Sequence, residues 1–143
     1  MYKEQKVIVV MPAYNAARTL RQTYDEVIAQ EIVDLIIIVD DKSGDETVAI
    51  ARSLPNTIVY RHRENMGYGG NQKSCYKLAL EQNGDIIIMV HPDYQYTPKL
   101  CISMASLLSQ GVFDCALGSR ILGGYALKGG MPWWKSQGTL IVL

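Results

Sequence analysis

Two aspartates, Asp40 and Asp41, close a wholly apolar run of Ile36, Ile37, Ile38 and Val39, and a second apolar run ends in His91, Asp93 and Gln95 at alternate positions. Carboxylate and amide oxygens suit a hard divalent cation, which takes oxygen ligands and completes its shell with substrate phosphates. In extended backbone, Asp93 and Gln95 would point to the same side of the chain. A third cluster, Gly67, Gly69 and Gly70 with Lys73 nearby, would let backbone N–H groups approach an anion at the start of a helix. It is not the dinucleotide fingerprint, because Gln72 stands where a third glycine is required, and no P-loop is present. Taken singly, each cluster also fits an acid supporting a turn or a loop leading into a helix.

These residues need elements to hold them. Apolar runs at 7–11, 35–39, 57–60, 86–90 and 115–117 read as strands, and the segments between them carry helical spacing. The order βαβαβαβαβ implies an α/β fold with a mostly parallel sheet and helices on both faces. In the first helix Ala16, Leu20, Tyr24, Val27 and Ile28 share a face, with Asn15 as N-cap. Ser43 and Glu46 have capping-box spacing ahead of the second. In the fourth, Thr97 and Pro98 take the cap and first turn, and Leu100, Met104, Leu107 and Leu108 form the inward stripe. The turns "PAYNA", "DDKSGDET", "RHRENMGYGGNQK" and "HPDYQYTP" then share the sheet edge at the strands' carboxyl ends, where ligands bind in such folds. Four polar turns on one edge favour a small-molecule site.

The 143 residues make one domain, 1–143, and 14 basic residues balance 14 acidic ones, so no overall field favours a nucleic acid. Cys75, Cys101 and Cys115 lie among apolar residues without metal-ligand spacing, as reduced core thiols in a cytoplasmic chain would. No signal peptide is visible, and no apolar run approaches the ~18 residues that span a bilayer. The final "TLIVL" carries no stop signal, which implies a polypeptide continuing beyond Leu143.

The stretches "VIVVMPAYNAARTL", "IIIVDDKSGDET", "NMGYGGNQKSCYKLAL", "GDIIIMVHPDYQYTPKL" and "LGSRILGGYALKGGMPWWK" together resemble the family 2 glycosyltransferases of GT-A fold. Within them they are most similar to the dolichyl-phosphate mannosyltransferase and polyprenyl-phosphate glycosyltransferase group. The resemblance implies a nucleotide-diphospho-sugar donor and a divalent metal, Mg or Mn. It implies a near-complete nucleotide-binding half and an acceptor side completed by further chain. Pro12, Ala13, Tyr14 and Asn15 match the nucleotide-binding first turn, with Val39, Gly67 and Lys73 also at the nucleotide. By the same resemblance Asp41 accepts from the base while Asp40 supports the turn. Asp93 and Gln95 match the metal turn, with His91 where an acid is usual, a softer ligand that disfavours magnesium relative to manganese. Ala16 likewise stands where an acid often follows the asparagine.

From Cys115 to Leu143 there is no Asp or Glu, but there are Arg120, Lys128, Lys135, Trp133 and Trp134. Cations can hold a lipid phosphate and tryptophans can lie at a membrane interface. This supports polyprenyl phosphate at the membrane surface as acceptor, bound by Arg120, Lys128 and Lys135, with Asp93 and Arg120 as the catalytic pair. The final apolar residues, short of covering, would let two chains pair as a homodimer. Two other functions compete: a glycosyltransferase acting on a saccharide hydroxyl, and a non-catalytic nucleotide-sugar-binding module. A phosphorylated receiver is disfavoured, because it needs a lone aspartate after its middle strand, where "RHRENMGYGG" stands.

Overall fold

β-branched residues have few χ1 choices and pack well on a pleated surface. In the computed structural model, which describes residues 1–119, four such runs form strands. They are β1 (Val7–Ala13), β2 (Leu35–Asp40), β3 (Thr57–Arg61) and β4 (Ile86–Met89), all parallel in the order β3-β2-β1-β4. Helices α1 (Leu20–Ile28), α2 (Thr47–Arg52) and α3 (Gly67–Glu81) connect them, and α4 (Cys101–Ser109) follows β4.

The central strands are buried on both faces, which is why they read as continuous apolar runs rather than alternating ones. Val7, Val9 and Met11 of β1, with Ile36 and Ile38 of β2, pack against Leu20, Val27, Ala51, Cys101 and Ala105 on α1, α2 and α4. Ile8, Val10, Ile37 and Val39 point the other way, onto Cys75 and Ala79 of α3. The sheet is therefore sandwiched, and its register places Ala13 beside Asp40 and Asp40 beside Arg61 at the carboxyl edge.

Several expectations are corrected. β1 runs on through Pro12 and Ala13, which are buried strand residues and not part of a turn. Proline is tolerated there because its missing N–H would face β4, whose ladder ends where Val90 N–H donates to Val10 O. Residues 115–117 form no strand, and among the described residues β4 is a sheet edge. The inward stripe of α4 is Cys101 and Ala105, flanked by half-buried Met104 and Leu108, whereas Leu100 and Leu107 are exposed. A 3-10 turn at Pro98–Leu100 precedes the helix, and its tighter winding shifts the phase. Thr97 caps that turn as expected, accepting from Lys99 N–H, with Pro98 at its first position. Cys75 and Cys101 are core thiols pushed up by burial to about 12 and about 11, but Cys115 is exposed.

The adjacent pair Ile37 and Ile58 isolates the weight of the double-sided core, since the first is fully buried and the second lies on the edge strand at 36% exposure. Ile37→Ala should cost about 2–5 kcal/mol of unfolding free energy, and Ile58→Ala less than half as much. Urea unfolding of the two variants checks this.

Candidate functional site

The site is built from the ends of β1, β2, β3 and β4, and the polar side chains there bond from one turn to the next. Asn15 N–H donates to Ser43 Oγ at 2.8 Å, while Asn15 Oδ1 accepts from Gly44 N–H at 2.9 Å. Ala16 N–H donates to Thr47 Oγ1 and Ala17 N–H to Asp45 Oδ2. Four bonds thus zip the first turn to the second. This corrects two capping assignments. Asn15 does not cap α1, which starts only at Leu20, and Ser43 and Glu46 form no capping box, because Ser43 is spent on the neighbouring turn. Burial raises the Asp45 carboxyl, but the Thr47 hydroxyl and the N–H groups of Thr47 and Ala17 outweigh it and hold it below the usual value.

The second turn is tied to the third by the two aspartates. Asp40 is fully buried, and its Oδ2 accepts from Ser43 N–H at 3.1 Å and lies 3.3 Å from Arg61 Nε. Arg61 also donates to Ser43 O. Asp41 is 3% exposed, and its Oδ1 takes both His62 Nδ1 at 2.8 Å and Met66 N–H at 2.7 Å. Asn65 Nδ2 reaches Asp41 O, and Asn65 Oδ1 accepts from Gly67 N–H. Asp40 thus supports the turn as expected, but Asp41 also anchors structure: it holds the residue from which α3 departs. Gly67, Gly69 and Gly70 lie inside the first turn of α3 rather than in a loop before it, and Lys73 is exposed further along that helix. Gly67 has φ +72, a conformation that glycine adopts without strain.

The fourth turn is held by α1 and α3. Thr19 Oγ1 donates to Pro92 O, and the Tyr94 hydroxyl donates to Glu26, which raises the Tyr94 pKa. Gln30 bridges Pro98 O and Ile102 N–H. Asp93 and Gln95 do not stand side by side in extended chain. Tyr94 takes φ +61 between them, and Asp93 Oδ1 turns back to accept from Gln95 N–H at 3.0 Å. His91 stacks on Tyr68 of α3 with centroids 5.5 Å apart, its Nε2 3.3 Å from the Tyr68 hydroxyl, and Tyr96 lies beyond at 6.3 Å. Beside this stack, among the described residues, a cavity of about 550 Å³ runs along β4, lined by Tyr76, Met89, Met104, Leu108 and Leu117 among others.

A divalent metal fits these residues in one way. Among the described residues no group of three or more His, Cys, Asp and Glu could hold an ion by itself. Asp93 is an exposed carboxylate on a tight turn, and His91 is kept neutral because burial lowers its pKa more than Asp93 raises it. One carboxylate, an amide oxygen and an imidazole suit a cation that draws its remaining ligands from substrate phosphates. They do not make a cage that would hold one alone.

Sequence reasoning missed two residues. His62 was only one member of a polar turn, yet it links Asp41 to Ser74, whose Oγ is 2.9 Å from Nε2. Asn71 is 4% exposed under the sheet edge and donates to Val39 O at 3.0 Å and to Ala13 O at 3.5 Å, tying the ends of β2 and β1 to α3. Its signal was present: Asn71, Cys75 and Ala79 recur every four residues, so a polar side chain heads a buried stripe. Arg120, Lys128, Lys135, Trp133 and Trp134, and with them the expected pairing surface, lie outside the described residues.

His91 gives this site a pH signature. Its folded pKa lies below the ordinary 6.5, so on acidification the unfolded chain takes up the proton first. Stability is full above 6.5 and falls as the pH drops from there toward the folded value. Urea unfolding at pH 7.5 and 5.5 should show a loss on acidification that is smaller in His91→Phe.

The family model for glycosyl transferase family 2 matches residues 8–137. An uncharacterized protein of Methanocaldococcus jannaschii is 33% identical over 136 residues, 95% of this chain and 55% of that protein. The UDP-N-acetylglucosamine–dolichyl-phosphate N-acetylglucosaminyltransferase of Methanococcus voltae is 26% identical over 153 residues, 96% of this chain and 60% of that protein. The chain thus spans a little over half the length of these relatives. Among solved structures, glucosyl-3-phosphoglycerate synthase from Mycobacterium tuberculosis, in complex with Mn2+, UDP and glucosyl-3-phosphoglycerate, superposes with a TM-score of 0.60. It is 21% identical, and the match covers 74% of this chain and 40% of that one. The parallel sheet, the ordered strand-end turns and the family match along nearly the whole chain lead to one conclusion: this chain belongs to glycosyl transferase family 2 and has its GT-A fold.

Proposed function

We propose that this chain forms the nucleotide-binding half of an enzyme that moves a sugar from a nucleotide-diphospho-sugar donor to a polyprenyl phosphate. The observation that carries the reading is the continuous hydrogen-bonded rim that gathers four polar turns on one sheet edge around Asp41 and the His91-to-Gln95 turn. That edge is where open parallel sheets bind ligands. In this reading Asp41 accepts from the base, and the end of β1 with the turn after it, Pro12 to Asn15, lies along the nucleoside beside the buried Val39. The start of α3, with Gly67 and Lys73, faces the phosphates, where backbone N–H groups and a cation favour negative charge.

Asp93, Gln95 and His91 would hold a divalent ion against the diphosphate. When bound, such an ion supplies Lewis-acid stabilisation of the departing nucleotide. The chain's own residues orient the donor: the rim fixes base and diphosphate separately, so the sugar carried beyond the diphosphate is presented in one pose. A phosphate monoester is already anionic at neutral pH, so a polyprenyl phosphate needs positioning rather than a general base. Arg120, Lys128 and Lys135 are the proposed cations for it, with Arg120 proposed to act beside Asp93 in catalysis. The dolichyl-phosphate acceptor named for the Methanococcus voltae relative supports this choice.

The test is transfer of labelled sugar from UDP- and GDP-sugars, with Mn2+, to polyprenyl phosphate and to a saccharide acceptor by the longest natural polypeptide that contains these residues, since the 143-residue half is expected to transfer little or no sugar by itself. Lipid-linked product is expected. Product only on the saccharide would replace the acceptor, and donor binding without any product would make this a binding module. Asp93→Ala should remove the metal-dependent part of diphosphate affinity and leave nucleoside binding nearly intact. Asp41→Asn should weaken nucleotide binding by about 1–3 kcal/mol, the scale of a charge-assisted hydrogen bond. Titration calorimetry with and without Mn2+ reads both.

A further inference from the structure

His62 is 8% exposed and spans two partners, with Nδ1 2.8 Å from Asp41 Oδ1 and Nε2 2.9 Å from Ser74 Oγ. A carboxylate oxygen accepts, so His62 Nδ1–H donates to Asp41 Oδ1, and the contact of Nε2 with Ser74 Oγ fixes the orientation of the ring. Met66 N–H donates to the same Oδ1 at 2.7 Å. Two donors from different elements, one on the turn after β3 and one at the start of α3, therefore converge on a single oxygen of Asp41. No hydrogen bond among the described residues reaches Asp41 Oδ2. It differs in this from Asp40, whose unbonded Oδ1 is sealed from solvent. Asp41 is thus clamped on one side and open for one more donor on the other.

We infer that His62 is a positioning residue that holds Asp41 as a one-sided acceptor, so that the site selects nucleobases with a ring N–H, uracil or guanine, and rejects cytosine and adenine. The inference rests on the proposed reading that Asp41 meets the base. A free carboxylate could rotate and meet any amino group on the base. A clamped one offers a single oxygen at a single place. Uracil N3–H and guanine N1–H satisfy it, whereas the matching ring nitrogens of cytosine and adenine present lone pairs. Their exocyclic amines lie one position away, so meeting Oδ2 through them brings a lone pair alongside the carboxylate. A site built to bond an N–H discriminates strongly against an analogue lacking it, because a buried acceptor is left unpaired.

The experiment is titration calorimetry of UDP, CDP, GDP and ADP into the 143-residue chain and into His62→Leu, His62→Gln and His62→Asn. In the parent chain UDP should bind about tenfold or more tighter than CDP, and GDP than ADP, while His62→Leu and His62→Gln should bring each ratio within about threefold of unity. His62→Asn should preserve the ratios, because its amide nitrogen occupies the place of Nδ1 and still donates to Asp41. The glutamine amide instead reaches toward Ser74. A purely structural histidine would lower all four affinities together and leave the ratios alone. If His62→Leu does not fold, the asparagine and glutamine variants decide. Equal binding of UDP and CDP by the parent chain, or equal ratios in the asparagine and glutamine variants, would overturn the inference. Binding of none of the four would overturn the nucleotide reading and this one with it, whereas binding of all four without preference would overturn this one alone.

Discussion

Two carboxylates buried at the end of one central strand are the constraint on which this edge of the molecule depends. Removing a charge from water costs several kcal/mol unless it is paired and hydrogen-bonded. Asp40 meets that demand with Ser43 and Arg61, and Asp41 with His62 and Met66. Apart from Ser43 these partners lie beyond the second turn, so satisfying two aspartates draws the second turn, the third turn and the start of α3 to one place. Asn71 completes the arrangement from below by holding the last carbonyls of β1 and β2. The same bonds that stabilise the fold therefore set the shape of the candidate site, and neither can be changed without the other.

The strands were legible because a parallel sheet covered on both faces demands unbroken β-branched runs, and Ile36, Ile37, Ile38 and Val39 supply one. The local polar signals were less reliable for a physical reason. Ser43 and Asn15 are good capping residues, and a capping rule assumes that the side chain serves its own helix. Here both are spent across a turn-to-turn seam whose existence depends on the sheet having formed. The phase of α4 was missed because a 3-10 turn precedes it, and the same-side arrangement of Asp93 and Gln95 because Tyr94 leaves the extended region.

Of the candidate site, the four turns and the importance of the acidic pair could be read in advance, since composition and strand order mark them. The division of labour between the two acids could not. Asp41 was expected to serve the ligand and Asp40 the fold, but Asp41 Oδ1 is already committed to His62 and Met66. Both partners are distant in sequence from Asp41, and long-range pairing leaves no local pattern. The His91 stack on Tyr68 is similar: it joins the fourth turn to α3 through two aromatic rings 23 residues apart. It also braces the histidine of the fourth turn, whose pKa burial lowers.

That the rim of strand-end turns is the nucleotide site is tested most directly by mapping backbone amide shifts with UDP and then line broadening with Mn2+. Shifts gathered at residues 13–15, 41 and 62–67, with broadening centred on 91–95, are what the bonded rim predicts. Shifts gathered instead along the β4 edge at Met89, Met104 and Leu108, with the rim silent, would contradict it.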